Sequence, residues 1–329
     1  MNQPPNQQPN QQPNQPLAYD LIIVGSGPAG LVASIYASRY RMSNLVIGKQ
    51  KGGTIGLAHK VENWPGEVSI SGLDLMIKIE NQVQNLETEI IYDPVESIKK
   101  ENGIFTLITD GEKKYQAKAL ILATGTERRK LQIPGEEEFL GKGVSFCTTC
   151  DAPFFRDKTV VLIGGGDAAC SGAVRTAEYA KKVYLVYRKD ELRAEPIWVN
   201  QIVKNPKIEV IYNTSVTEIK GDQVVEEVFL DNPYRGSKKL ATDGVFIEIG
   251  GVPGNELAIL AGVEIDESGY LKVNKEMKTS VKGIFAAGDT TDFLPHFQQM
   301  ISAASMGAVA ASSAYQYLKH ESAPAQRGT

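Results

Sequence analysis

Residues 20–34 read DLIIVGSGPAGLVAS. Residues 20–24 make a short apolar strand, which leads into Gly25, Ser26, Gly27, Pro28, Ala29 and Gly30, and residues 31–40 read as a helix. Glycines at the first, third and sixth places of such a turn allow the tight reversal, the close approach of a pyrophosphate and close packing of helix on strand. The start of the helix offers free N–H groups and the positive end of its dipole to phosphate oxygens. Another strand follows at 45–47. A glycine-rich turn with no ligand is the bland alternative; the strand before and the helix after favour a nucleotide.

The pattern occurs twice. Residues 160–163 lead into Gly164, Gly165, Gly166, Asp167, Ala168 and Ala169, a helix is expected over 170–180, and the next strand is 183–186. The second turn begins at residue 164 and the first at residue 25, 139 positions apart. A repeat on that scale predicts an α/β protein with two Rossmann-like three-layer domains and two nucleotides. At the end of the second strand of such a unit, an acidic residue would hold a ribose 2′-hydroxyl. Here stand Tyr187, Arg188 and Lys189, with Arg193 one turn on. Cations in that place suit a 2′-phosphate and point to NADPH, with a surface charge cluster as the alternative.

Between the two turns lies VSFCTTCDAPFF, residues 144–155, in which Cys147 and Cys150 flank two threonines and Asp151 follows at once. A two-residue spacer lets the thiols close a small ring. A dithiol beside a nucleotide unit suggests electron transfer between a nucleotide cofactor and a disulfide. Two other readings compete: a structural disulfide, which suits a cytosolic chain poorly, and a zinc site, which would need two further ligands where no second C-x-x-C exists. Cys170, on the helix after the second glycine turn, reads as a packing residue.

With 329 residues and a hydrophobic fraction of 42%, the chain can fill two domains. Its net charge of −4, with no basic run longer than three residues, argues against a nucleic-acid partner. Three cysteines argue for a reducing compartment with one special pair, and the localisation expected is cytoplasmic. The repeat at residues 1–16 is polar and uncharged and is expected to be a disordered tail, without the apolar stretch of a signal peptide. The Ala- and Ser-rich helix expected at about 298–318 reads as buried rather than membrane-spanning.

Other elements follow in order. A glycine-rich loop covers 51–66, and Ser71 is placed to cap a helix over 72–86 whose Leu75, Met76, Ile79, Val83 and Leu86 share one face. Strands are expected at 90–92, 95–99, 104–109 and 115–122, then strands and polar turns as far as 246–249. The stretches 123–130 and 250–255 read as boundaries. A strand at 283–287 runs into Asp289, at the strand end where open α/β sheets bind ligands. The expected organisation is a tail at 1–16, a discontinuous first domain at 17–125 and 252–321, an inserted second domain at 126–251, and a C-terminal tail at 322–329.

From Tyr19 to Leu318 the chain resembles the low-molecular-weight thioredoxin reductases. The residues that carry the likeness are GSGPAG at 25–30, VENWPG at 61–66, ATG at 123–125, CTTCD at 147–151, GGGDAA at 164–169, YRKDELRA at 187–194 and GIFAAGD at 283–289. The resemblance implies FAD on Gly25, Ser26, Gly27, Pro28, Ala29 and Gly30, with Gly53, Asn63, Val95, Ala123, Thr124, Gly125, Gly288, Asp289 and Gln299. It implies NADPH on Gly164, Gly165, Gly166, Asp167, Ala168 and Ala169, with Arg188, Lys189 and Arg193 around the 2′-phosphate. By the same likeness Cys150 faces the flavin, Cys147 attacks the partner disulfide and Asp151 serves as acid–base group. The implied partner is thioredoxin or a thioredoxin-like protein, and the implied assembly is a homodimer.

The chain departs from the family at Tyr187 and Lys189, at Ser171 and Gly172, at Thr54 and Gln298, and in FLPHF at 293–297. These departures bear mainly on the electron donor. The rival readings are a flavin disulfide reductase using ferredoxin or NADH, a small-molecule dithiol oxidase, and a non-enzymatic flavin-binding protein.

Overall fold

The computed structural model of the chain describes residues 17–295 and 297–321. The two expected tails, 1–16 and 322–329, and His296 lie outside the described residues. The chain divides into two compact units. Among the described residues, one takes in 17–53, Lys78–Thr124, 255–295 and 297–321; the other takes in Thr54–Ile77 and Gly125–Gly254.

In the first unit, strand Leu17–Val24 lies between Asn44–Gly48 and Lys114–Leu122, parallel to both, with Glu89–Tyr92 beyond Asn44–Gly48 and Ile284–Ala286 also parallel to Lys114–Leu122. Strands covered on both faces cannot alternate polar and apolar residues, which is why Leu21, Ile22 and Ile23 are all fully buried. Ile22, Val24, Leu45, Ile47, Leu120 and Leu122 share one core, and burying each such side chain contributes roughly 1.5–3 kcal/mol. Ile104–Thr109 and Val95–Glu101 extend the sheet antiparallel from Lys114–Leu122. Helix Pro28–Arg39 packs on the closing helix Met300–Glu321. The approach is close: a Cβ on Gly307 would stand 2.0 Å from the Ala29 carbonyl oxygen.

The second unit repeats that plan. Strand Thr159–Ile163 lies between Lys182–Val186 and Gly244–Ile247, all parallel, with Ile208–Ile211 and Val144–Ser145 at the edges. Val160 and Leu162 pack with Ala169, Ala173 and Ala177 of helix Asp167–Ala177. Val161 and Ile163 face the other way, onto Ile219, Val228 and Leu230 of an antiparallel sheet formed by Val216–Gly221, Val225–Tyr234 and Ser237–Ala241. Helices, parallel sheet and antiparallel sheet are thus the three layers expected.

Two local differences from the sequence reading have physical reasons. Helix Pro196–Lys204 lies where strands and turns were expected. Its signals are a proline in the first turn and Trp198, Val199 and Ile202 at helical spacing on the core face. The helix after the second glycine turn starts at Asp167 rather than 170, because the last glycine itself is the cap. Ser71 caps helix Gly72–Gln84 as expected: its Oγ accepts from the Asp74 N–H at 3.0 Å and donates to Asp74 Oδ2 at 2.7 Å. No helix among the described residues is long and apolar enough to cross a membrane.

Candidate active site

In the first unit the turn leaves the carboxyl end of the central strand, where the strand order reverses direction. Gly25 has φ +122°, and a Cβ there would lie 2.0 Å from the Ala123 carbonyl oxygen. On Gly30 it would lie 1.9 Å from the Gly25 oxygen. Gly27 differs: its φ is −79°, and a Cβ would meet nothing within 4 Å. The backbone in front of the helix is therefore open on the side a phosphate would take. Gly53, at φ +58°, comes over Gly27, with a Cβ position 3.1 Å from its Cα, while Ser26 Oγ donates to the Gln50 carbonyl at 2.8 Å.

Asp289 follows the strand Ile284–Ala286. Gly288, at φ +82°, brings the chain against Ala29. Asp289 Oδ1 is buried and has no hydrogen-bond partner among the described residues, and burial pushes the carboxyl up to about 6. An unpartnered buried carboxylate oxygen fits a ligand that carries hydroxyl donors, as the ribityl chain of FAD does. Thr124 Oγ1 donates to Thr290 Oγ1 at 3.2 Å, and Gln298 Nε2 reaches the Asp289 carbonyl at 3.4 Å and the Tyr270 hydroxyl at 3.2 Å. Gln299 lies directly before the closing helix, Ala123 directly follows the strand Lys114–Leu122, and Val95 begins an antiparallel strand of this sheet. Asn63 is on an exposed loop and Gly125 has φ +65°; both group with the second unit.

The second glycine turn follows the same division. Gly164, at φ +144°, would place a Cβ 2.1 Å from the Glu248 carbonyl oxygen, whereas a Cβ on Gly166 meets nothing within 4 Å. Ala169 is fully buried, and Ala168 lies in the first turn of the helix. Asp167 accepts from the Glu195 N–H at 2.7 Å. Arg188, Lys189 and Arg193 are exposed and make no ion pair with a carboxylate among the described residues, so their charge is free for an anion. Tyr187, read in sequence with these cations, is instead buried: its ring lies under Gly165, 2.6 Å from where a Cβ would be.

Cys147 and Cys150 form a disulfide across the short helix Thr148–Asp151, with Cα atoms 5.3 Å apart. The Cys150 N–H donates to Cys147 Sγ at 3.2 Å, and Cys147 is half-buried while Cys150 is exposed. Cys147, Cys150 and Asp151 line one cavity of about 430 Å³ in the second unit, with Val144, Phe146 and Arg128. No group of three or more His, Cys, Asp or Glu among the described residues is placed to hold a metal ion. Cys170 is fully buried, and burial pushes its thiol up to about 12, so it is inert packing. The sequence reading missed Arg128 and Glu248, which stand 3.9 Å apart beside the disulfide helix.

The family model for pyridine nucleotide-disulphide oxidoreductases matches residues 19–309. The thioredoxin reductase of Treponema pallidum is 44% identical over 303 residues, covering 91% of this chain and 97% of that protein. Among solved structures, the Lactococcus lactis thioredoxin reductase aligns with a TM-score of 0.87 at 35% identity, covering 92% of this chain and 99% of that one. The T. acidophilum thioredoxin reductase aligns at 0.85 and 38%, covering 91% and 98%. With an open glycine turn in each unit and a disulfide in the second, this chain belongs to the pyridine nucleotide-disulphide oxidoreductases and, within them, to the low-molecular-weight thioredoxin reductases.

Proposed function

We propose that the chain carries electrons from NADPH, through FAD, to the Cys147–Cys150 disulfide and from there to oxidised thioredoxin or a thioredoxin-like protein. The observation that carries the reading is the disulfide itself, lining a cavity with Asp151 in the same unit as a glycine turn whose Gly166 is open to a ligand. FAD would be held by Gly25–Gly30, Gly53, Ala123, Thr124, Gly288, Asp289 and Gln299, with Asn63, Val95 and Gly125. When bound, it supplies a carrier that takes a hydride from a nicotinamide and delivers two electrons to a disulfide.

The protein's own part is positioning and proton handling. Arg188, Lys189 and Arg193, exposed and without an ion pair among the described residues, favour a nucleotide with a 2′-phosphate. In the reduced pair, the Cys150 N–H that reaches Cys147 Sγ stabilises a thiolate there, which suits Cys147 to attack a partner disulfide. The attack forms a mixed disulfide, the partner sulfur leaves with a proton that Asp151 can supply, and Cys150 then resolves the bond. As in the family, a homodimer is expected; sedimentation velocity measures it.

The test is turnover of oxidised thioredoxin by flavin-loaded protein with NADPH, NADH or reduced ferredoxin as donor. Turnover with NADPH well above the other two supports the reading. Flavin that only ferredoxin reduces would move the donor assignment. A protein that takes up no flavin would overturn the proposal.

A further inference from the structure

Arg128 ends the strand Thr126–Arg128, which pairs antiparallel with Gly251–Pro253. Its Nη1 is buried and has no hydrogen-bond partner among the described residues; the nearest carboxylate is Glu248, 3.9 Å away. That separation is an ion pair without a direct hydrogen bond. Glu248 follows the strand Gly244–Ile247, its side chain is 15% exposed, and it takes a hydrogen bond from the Thr148 N–H, one residue after Cys147. Arg128 lines the same cavity as Cys147, Cys150 and Asp151 and is the one cation among its lining residues.

We infer that Arg128 is an electrostatic positioning residue for the dithiol, holding the thiolate of the reduced pair, and that Glu248 sets how much of its charge is available. This rests on the redox reading of Cys147 and Cys150. A guanidinium in a partly buried site beside a thiol stabilises the thiolate, and the thiol proton leaves to water. Glu248 works against this by partly cancelling the same charge. Burial lifts its carboxyl to about 7 against the pull of Arg128 and the Thr148 N–H, so near neutral pH the cancellation is incomplete.

Asp151 is on the disulfide helix and is the one anion lining the cavity. Helix Asp167–Ala177 packs on Thr148 through Gly172, where a Cβ would lie 2.9 Å from Thr148 Cγ2. Of its groups, Asp167 is bonded to the Glu195 N–H, Arg175 is paired with Glu178, and Cys170 is buried; none lines the cavity. The turns Gly53–Leu57 and Ala152–Phe155 and the strand Val144–Ser145 carry no ionisable side chain.

The two partners therefore act with opposite sign, and the test uses that. The dithiol of the flavin-loaded protein is reduced, and its alkylation rate by iodoacetamide is followed against pH. Arg128→Gln should move the midpoint up by about one pH unit, slowing alkylation at pH 7 roughly tenfold. Arg128→Lys should restore most of the rate, because it keeps the charge and loses only the fork. Glu248→Gln should move the midpoint down. A merely structural pair would shift both variants the same way, or neither. An upward or absent shift in Glu248→Gln overturns the inference, and that variant decides even if Arg128→Gln does not fold. The readout uses neither nucleotide nor thioredoxin, so a wrong donor or partner would leave it intact.

Discussion

Asp289→Asn should make the flavin-free protein more stable and the flavin-bound protein worse. In the flavin-free chain the carboxyl is buried, with Oδ1 unpartnered, and burial raises it from 3.8 to about 6. At 1.36 kcal/mol per pH unit, that displacement corresponds to about 3 kcal/mol. The sign follows from proton counting. Between about pH 4 and pH 6 the folded chain holds a proton that the unfolded chain has released, so stability falls as the pH rises through that window and stays reduced above it. Asparagine does not titrate. The variant should therefore exceed wild type by about 3 kcal/mol at pH 7.5 and by roughly half that at pH 5. Urea unfolding of flavin-stripped protein, followed by circular dichroism at the two pH values, measures the gap. With flavin bound the order should invert, because the carboxylate then has a hydroxyl donor, and dialysis should strip flavin faster from the variant. A gap that does not change with pH would refute the titration argument, and tighter flavin retention by the asparagine variant would refute the ligand role.

Three further outcomes are expected. Arg188→Ala should cost roughly ten- to a hundredfold in NADPH affinity, the range of a charged hydrogen bond, while leaving NADH unchanged; stopped-flow flavin reduction with each nucleotide checks this, and equal losses for both would count against a 2′-phosphate contact. Cys150→Ser should trap a mixed disulfide with thioredoxin, because no second thiol can resolve it, and Cys147→Ser should not; a non-reducing gel shows the adduct, and the reverse pattern would exchange the two roles. Ser71→Ala should destabilise the chain by about 1 kcal/mol through loss of the cap on helix Gly72–Gln84, with no change in the relative use of NADPH and NADH, as thermal unfolding and the same stopped-flow assay would report.

What the sequence carries well is what local chemistry enforces. The two glycine turns, the Ser71 cap and the apolar runs of the parallel strands appear close to where the spacing predicts them, because each depends on neighbours within a few residues. Helix Pro196–Lys204 was hidden by the charged stretch before it and by a core face of only a few residues. Tyr187 stood among cations in sequence, but it directly follows the strand Lys182–Val186 and is buried under Gly165, while Arg188 is exposed. The pairing of Arg128 with Glu248 had no local signal at all. It needs Thr126–Arg128 to pair with Gly251–Pro253, and it needs the strand before Glu248 to end beside the disulfide helix.

The glycines separate what the fold requires from what a ligand requires. At Gly25, Gly30 and Gly164 a Cβ would overlap backbone of the same unit, at 2.0, 1.9 and 2.1 Å, so the fold alone excludes any other residue there. At Gly27 and Gly166, φ is −79° and −99°, which any residue adopts, and a Cβ would meet nothing. Neither packing nor backbone strain accounts for glycine at those two positions. A phosphate group drawn against bare backbone at the start of a helix does, since a side chain there would hold it off. The same division occurs in both units, one ending in a carboxylate oxygen without a partner and the other in three cations without an ion pair among the described residues. That is a physical reason to assign one site to a hydroxyl-rich nucleotide and the other to a nucleotide with an additional phosphate.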